Sequence, residues 1–335
     1  MRSVRPIPYS FQKHHCIRRS GTLTETFLQK LKFESEDIPY ILENDQCYGT
    51  EIEKLAAVYM ADKGNRSRRP YTPEEVQQRH SQMLDSLAAA DKVCKDCDNE
   101  YIANLLFWLH CVPYAKPLYE RADIDLSIYW ESMSDLACKT RECKQKRGKC
   151  GTYVTWNWYS LFLDLLLFSL GRLQFYIETF QEDCYQFGDY TLKKGDTVYS
   201  CHIPSTGKLP IQACMDSFQQ AYEFFKEDLT SSVIPIVCDS WLLYPPYLEK
   251  VFSEGSNLAN FAGLFQIIAV TEIGTVFDKC ANVFHMPYPG STRPLPRDTS
   301  LRRNFIRYID EGNTFGSGYG VILYDGQQKR IINQK

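Results

Sequence analysis

Two side chains at the ends of neighbouring apolar runs could share one proton-transfer task. His202 lies near the end of Thr197 to Ile203, a run rich in β-branched and aromatic residues, and Asp239 follows the run Val233 to Val237. An imidazole titrates near neutrality, so His202 suits a general base. If the runs are adjacent parallel strands, Asp239 comes near that ring and could orient it, since ligands gather at the carboxyl ends of such strands. The same carboxylate could instead cap the segment from Trp241. Glu178, on the polar side of an earlier alternating segment, is a further base. Cys201 faces opposite to His202 by strand alternation and is not read as a nucleophile. Ser240 lacks the flanking glycines of a nucleophile elbow.

The stretch between the two runs suggests anion binding. Pro204 ends the first run, Ser205-Thr206-Gly207-Lys208 is turn chemistry, and Pro210 suits the first position of a helix. Ile211, Cys214, Met215, Phe218, Tyr222 and Phe225 then recur at helical spacing. The first turn of a helix has N–H groups without intrahelical partners, and neither Lys208 nor Leu209 is a capping residue. The N–H groups of Ile211, Gln212 and the loop, with the charge of Lys208, suit a phosphate or diphosphate. An ordinary strand–helix–strand unit with a solvated loop would have the same local text.

These groups need a scaffold, and the chain changes character before reaching them. Thr22/Glu25, Thr50/Glu53 and Thr72/Glu75 have the spacing of capping boxes, each before apolar residues at helical intervals. Asp98 or Asn99 caps a further helix, and another is expected over Asp123 to Cys143. No strand is convincing before residue 150, so an all-helical domain over 1–148 is expected, with a seam near Gly148-Lys149-Cys150-Gly151. Residues 1–20 read as irregular. After the seam, Trp156 to Ser169 reads as a buried helix and Leu170 to Glu178 as an alternating strand. Lys193-Lys194-Gly195-Asp196 reads as a hairpin between Asp189 to Leu192 and Thr197 to Ile203. Ser256 caps a helix from Asn257, Gln266 to Thr271 is a strand, and residues 272–298 read as a surface excursion. Thr299 caps a last helix that Gly312 stops, and Tyr319 to Tyr324 is a final strand. Gly316-x-Gly318-x-Gly320 follows a helix and precedes a strand, the reverse of a dinucleotide fingerprint, and is taken as a turn.

Composition narrows the classes. A hydrophobic content of 44% with 24% charged residues is that of an ordinary globular protein. A net charge of −3 gives no ground for a nucleic-acid or anionic-membrane partner. The most apolar run, Leu161 to Leu173, contains Asp164 and is too short to span a bilayer. The absence of an apolar N-terminal segment and an odd count of 13 cysteines suggest free thiols and a cytoplasmic location. Cys94-x-x-Cys97 with Cys138, Cys143 and Cys150 lacks a second Cys-x-x-Cys or a histidine pair, so no metal site is expected.

The order of elements after the seam is similar to that of the GNAT superfamily of acyl-CoA N-acyltransferases. More specifically, the chain resembles a group of bacterial acyltransferase-domain proteins that join a helical N-terminal domain to a GNAT-like C-terminal domain. The resemblance is carried by Leu170-Gly171-Arg172-Leu173-Gln174-Phe175, Cys201-His202-Ile203-Pro204, Asp239-Ser240-Trp241-Leu242-Leu243-x-Pro245, Ser256-Asn257 and Leu295-Pro296-x-x-Thr299-x-Leu301. It implies an α+β protein: an all-α N-terminal domain, then a GNAT-like mixed α/β domain over 149–335. It also implies acyl-CoA as co-substrate, an acetyl group as the expected donor, and an amine on a small molecule or peptide as acceptor. The strand Thr197 to Pro204 and the loop after it would hold the cofactor, through Ile203, Ser205, Thr206, Gly207, Lys208, Leu209 and Asn257. Backbone N–H groups there would polarise the thioester carbonyl.

Two departures leave alternatives open. The loop has one glycine and no arginine, and the helix from Asn257 to Phe265 lacks the tyrosine that protonates the departing thiolate in many members. Tyr244 or Tyr247 replaces it, water does, or the domain is a catalytically inactive module that binds acyl-CoA or a protein. A homo-oligomer is compatible with either reading.

Overall fold

In the computed structural model, which describes residues 22–61, 63, 69–153 and 158–334, the chain starts as helices. They are α1 (Glu25–Lys30), α2 (Ile38–Ala61), α3 (Pro73–Val93), α4 (Ile102–Arg121), α5 (Leu126–Met133), α6 (Asp135–Arg147) and α7 (Trp158–Leu163). The reading of residues 1–20 lies outside the described residues. Of the three capping boxes one forms: Thr72 and Glu75 exchange side-chain and backbone bonds, with Pro73 beginning α3. At the first, Thr24 rather than Thr22 caps α1. Thr50/Glu53 lies inside α2, because the buried stripe of Ile41, Ile52 and Ala56 runs on through it. Gly49 belongs to the same helix; a Cβ there would lie 2.1 Å from Asp45 Oδ1, which must stay free to meet His110 Nε2 at 2.7 Å. The expected helix from Asp123 to Cys143 is two, α5 capped by Asp125 and α6, parted at Ser134.

The sheet begins earlier than the apolar text suggests. The strands are β1 (Leu167–Leu170), β2 (Leu173–Thr179), β3 (Cys184–Phe187), β4 (Tyr190–Lys193) and β5 (Thr197–His202). After α8 (Ile211–Phe225) come β6 (Val233–Ser240), α9 (Pro245–Lys250), α10 (Asn257–Ala262) and β7 (Gln266–Thr271). The chain closes with α11 (Val276–Phe284), α12 (Ser300–Asp310), β8 (Ser317–Asp325) and β9 (Arg330–Ile331). Trp156 to Ser169 is therefore not one helix: α7 stops at Leu163 and Leu167 to Leu170 is strand, since a run apolar on all sides has no period to tell the two apart. Gly171, with φ +73°, makes the turn into β2. The hairpin signal also sits differently, because β4 pairs with β3 rather than β5. Residues 272–298 are not only surface, since α11 buries Cys280, Val283 and Phe284.

The main sheet runs β1-β2-β5-β6-β8-β7, with β9 on β8. Within it β5 and β6 are parallel, while the other paired neighbours are antiparallel. Alternation divides it into two faces. Phe175, Tyr199 and Tyr324 pack under α8 against Phe218 and Phe225. Val198, Val237, Val321 and Leu323 face the other way, against Tyr185 and Leu192 of the β3–β4 hairpin. On that second face Gln174 reaches Asp135 of α6 at 2.9 Å, so the helical part sits over the β2 end of the sheet. A buried pair, Lys63 Nζ to Asp164 Oδ1 at 2.7 Å, also ties the end of α2 to the chain after α7. Gly318 and Gly320 lie in β8 rather than a turn; a Cβ on Gly318 would stand 2.2 Å from the Leu243 carbonyl oxygen. Among the described residues no helix is long and apolar enough to cross a membrane, and no group of histidine, cysteine and acidic side chains could hold a metal ion.

Candidate active site

Among the described residues, the one parallel pair of the main sheet comes apart. Tyr199 faces Ile236 and Ser200 faces Val237, and pairing stops there, although β5 runs on to His202 and β6 to Ser240. The result is a fork whose inner edges carry backbone groups without ladder partners. A cleft of about 880 Å³ opens at the fork. Cys201, His202 and Ile203 line one side and Cys238, Asp239 and Ser240 the other, with Lys139 and Glu142 of α6 and Leu258, Val283 and Leu301 farther out. Another cleft, of about 840 Å³, lies in the helical part. Its buried Lys63 and His110 are already paired, with Asp164 and Asp45.

One lip of the fork is the loop into α8. Pro210 takes the N-cap position, one residue before its expected place, and no side chain caps the helix. Arg172, from the β1–β2 turn, organises this loop. Its Nε donates to the Lys208 carbonyl at 2.9 Å, its Nη1 to Pro204 at 3.1 Å and its Nη2 to Gly207 at 3.0 Å. In a trans peptide unit the N–H points opposite to the C=O. Three carbonyls turned to the guanidinium therefore turn the N–H groups of Ser205, Lys208 and Leu209 away from it. Those amides and the first turn of α8 form a cradle of donors of the kind that holds an anion. The arginine missing from the loop's own text is thus supplied from another turn. Ser205, Gly207 and Leu209 line the cleft with Ile203, whereas Thr206 and Lys208 are exposed and outside its lining.

His202 stands on the second face of the sheet with its ring against Trp158, centroids 4.2 Å apart. Burial, with Lys139 and Arg172 as positive neighbours, lowers its pKa to about 3, so the imidazole is neutral at physiological pH. The neutral ring has a lone pair to accept a proton, but a pKa this far below neutrality makes it a weaker base than the near-neutral titration expected of it, and burial beside two cations is the reason. Asp239 shares this face but is exposed, and no hydrogen bond joins it to His202 among the described residues, because the fork separates their strands. Asp239 lies instead within electrostatic reach of Glu178, whose pKa burial raises to about 7, opposed by a hydrogen bond from Ser200 and aided by the Asp239 charge. Glu178 is outside the cleft lining.

Tyr244 does not reach the cleft. Its side chain is fully buried and its hydroxyl pairs with Thr314 Oγ1 at 2.8 Å and lies 3.3 Å from Glu272 Oε1. Tyr247 is buried among Phe252, Phe305 and Tyr308. Asn257 begins α10 behind its Ser256 cap; its neighbour Leu258, not Asn257, lines the cleft. The sequence reading missed Arg172, Trp158 and the α6 residues Lys139 and Glu142. Arg172 belongs to a stretch that carries the family resemblance but has no role attached to it there, and nothing local in α6 points at the sheet.

A fork in a parallel pair, with an amide-rich loop entering a helix beside it, is the architecture of a GNAT-like domain. Two family models match the chain: an N-acyltransferase N-terminal domain over residues 26–165 and a GNAT-like C-terminal domain over residues 167–322. The chain belongs to the family of acyltransferases built from these two domains. Its fold is similar to that of an acyltransferase solved in complex with CoA and 10C-teicoplanin, at 20% identity and a TM-score of 0.64, covering 91% of this chain and 88% of that one. An acyltransferase in complex with decanoyl-CoA aligns at 19% identity and a TM-score of 0.63, covering 91% and 88%. A mutant acyltransferase in complex with octanoyl-CoA aligns at 20% identity and a TM-score of 0.61, covering 89% and 87%. No match is found among curated proteins.

Proposed function

We propose that this protein transfers an acyl group from acyl-CoA to an amine, by direct attack and without a covalent enzyme intermediate. The observation that carries the reading is the fork: β5 and β6 cease to pair after Ser200 and Val237, and the uncapped, Arg172-braced loop opens beside it. The residues suit the cofactor. Amides of Ser205, Lys208, Leu209, Ile211 and Gln212 would hold the diphosphate, and the unpaired edges of β5 and β6 would flank the pantetheine arm. Acyl-CoA supplies the thioester. Backbone N–H groups at the end of β5 would donate to its carbonyl oxygen, which gains charge as the amine adds. His202, neutral and at the cleft wall, takes the proton that the ammonium must lose. The carbon–sulfur bond then breaks, and the thiolate is protonated by water or by the imidazolium, since no tyrosine hydroxyl lines the cleft among the described residues. Glu178 has a pKa near neutrality that would suit a base, but it lies outside the cleft lining and is not assigned that role.

The acceptor is an amine on a small molecule or peptide; among similar structures one acyltransferase is in complex with decanoyl-CoA and teicoplanin. Acetyl is the donor expected from the superfamily, while octanoyl- and decanoyl-CoA occupy the similar enzymes, so medium chains belong beside acetyl in any test. The experiment is release of CoA from acetyl-, octanoyl- and decanoyl-CoA with a panel of amines, for the parent protein and His202→Ala. Turnover should fall by about 10²–10⁴ in the variant, while acyl-CoA affinity changes little. Amine-dependent release that survives His202→Ala would remove the base assignment. Tight acyl-CoA binding with no release for any amine would favour a binding module.

A further inference from the structure

His202 lacks a hydrogen-bond partner for either ring nitrogen among the described residues, and a group that needs a donor faces it. Gln174 on β2 is the residue directly opposite His202 on β5. Directly opposed residues point to one face with Cβ atoms about 4.5–5.5 Å apart. Gln174 is 2% exposed, and its orientation is set by its amide NH2 group. Nε2 donates to Asp135 Oδ1 at 2.9 Å and lies 3.4 Å from Ser169 Oγ. That arrangement commits the other end: Oε1 is buried and has no donor. An amide oxygen left this way costs about 1–3 kcal/mol unless something pairs with it. Asp135 is itself 3% exposed and begins α6, with Lys139 one turn further on. Burial, opposed by Lys139 and by the Gln174 bond, raises the Asp135 pKa.

We infer that Gln174, held by Asp135, is a positioning residue for His202. The bond is not made in the structure, where Oε1 is unpaired; a turn of the facing ring would let that carbonyl accept the imidazole N–H and so fix the tautomer whose other nitrogen meets the substrate ammonium. The inference rests on the reading of His202 as the base. It gives the helical part a role in the chemistry, since the group that holds Gln174 belongs to α6. Other groups around the ring do different work. Trp158 of α7 packs on its face, and Lys139 of α6 and Arg172 of the β1–β2 turn oppose its protonation. Glu142 of α6 pairs with Lys139 at 3.1 Å, and Asp239 of β6 lies across the fork without touching the ring. A cationic surround accounts for a neutral amide rather than a carboxylate at position 174: it orients the imidazole without raising its basicity.

The test uses Gln174→Glu, made in the Asp135→Asn background so that an amide still bonds position 174 and no carboxylate pair shares a proton, together with Gln174→Leu and Asp135→Asn alone. The His202 ring is titrated by NMR in the full-length protein, and kcat is followed against pH. In Gln174→Glu the added carboxylate should raise the His202 midpoint by about 1 unit or more and shift the acidic limb of kcat by the same amount. In Gln174→Leu, kcat should fall roughly tenfold with KM for acyl-CoA nearly constant, and Asp135→Asn should lie between. An unmoved His202 titration in Gln174→Glu overturns the inference whatever the activity does. If the titration moves while His202→Ala still turns over, the contact stands and the base assignment falls.

Discussion

Replacing Arg172 with leucine should unfasten the loop into α8 without touching the fork. The side chain makes three hydrogen bonds to loop carbonyls, at 2.9, 3.1 and 3.0 Å. Bonds to a charged donor contribute about 1.5–3 kcal/mol each, but this guanidinium is only half-buried and water would replace part of them, so about 3–4 kcal/mol in total is reasonable. Some of that is lost as fold stability and some as loop order. If half falls on the loop, ordering it again on binding costs about 2 kcal/mol, or roughly 30-fold in Kd. Arg172→Lys keeps the charge yet cannot reach three carbonyls with one ammonium, so most of the loss should remain. Isothermal titration with CoA and decanoyl-CoA measures the effect, with circular dichroism to check the fold. A folded Arg172→Leu protein that binds CoA within about a factor of two of the parent would refute the claim that this arginine turns the amides outward.

Two further substitutions probe other parts of the account. Glu178 has its pKa raised to about 7 by burial, above the ordinary 4.5, so between those values the folded state holds more protons than the unfolded chain. Stability should therefore fall as pH rises through that window, with a ceiling of about 3 kcal/mol that partial exposure reduces. Glu178→Gln should raise the melting temperature at about pH 8 and change little at about pH 4; an equal effect at both would contradict the buried carboxyl. Gly318→Ala places a Cβ 2.2 Å from the Leu243 carbonyl oxygen, a backbone atom that cannot swing aside. It should lower the urea midpoint by the equivalent of about 1–3 kcal/mol or more, and a neutral result would mean that β8 and the Trp241–Leu243 turn are not packed this closely.

Local chemistry reveals elements here better than it reveals how they meet. Thr72, Ser256 and Thr299 each cap the helix expected of them, because a cap acts within one turn. The absence of a cap before α8 was equally legible. The apolar run before Gly171 was misread because burial on all sides erases periodicity, and the glycines of β8 because their reason is a backbone segment remote in sequence. The site follows the same rule. The loop and His202 stand together because they are contiguous, and Ile203, Ser205, Gly207 and Leu209 line the cleft. Tyr244 and Asn257 do not, and Arg172, Trp158 and Gln174 gain their places through strand register and the packing of α6 and α7, which no spacing in the text encodes.

The central claim is that acyl-CoA lies in the fork between β5 and β6. A crystal structure of the protein with decanoyl-CoA tests it most directly. The account predicts the diphosphate within hydrogen-bond reach of amides between Ser205 and Gln212, and the thioester between the ends of the two strands, beside His202. A ligand bound elsewhere, or strands paired through Cys201 and Cys238 with the ligand present, would contradict it.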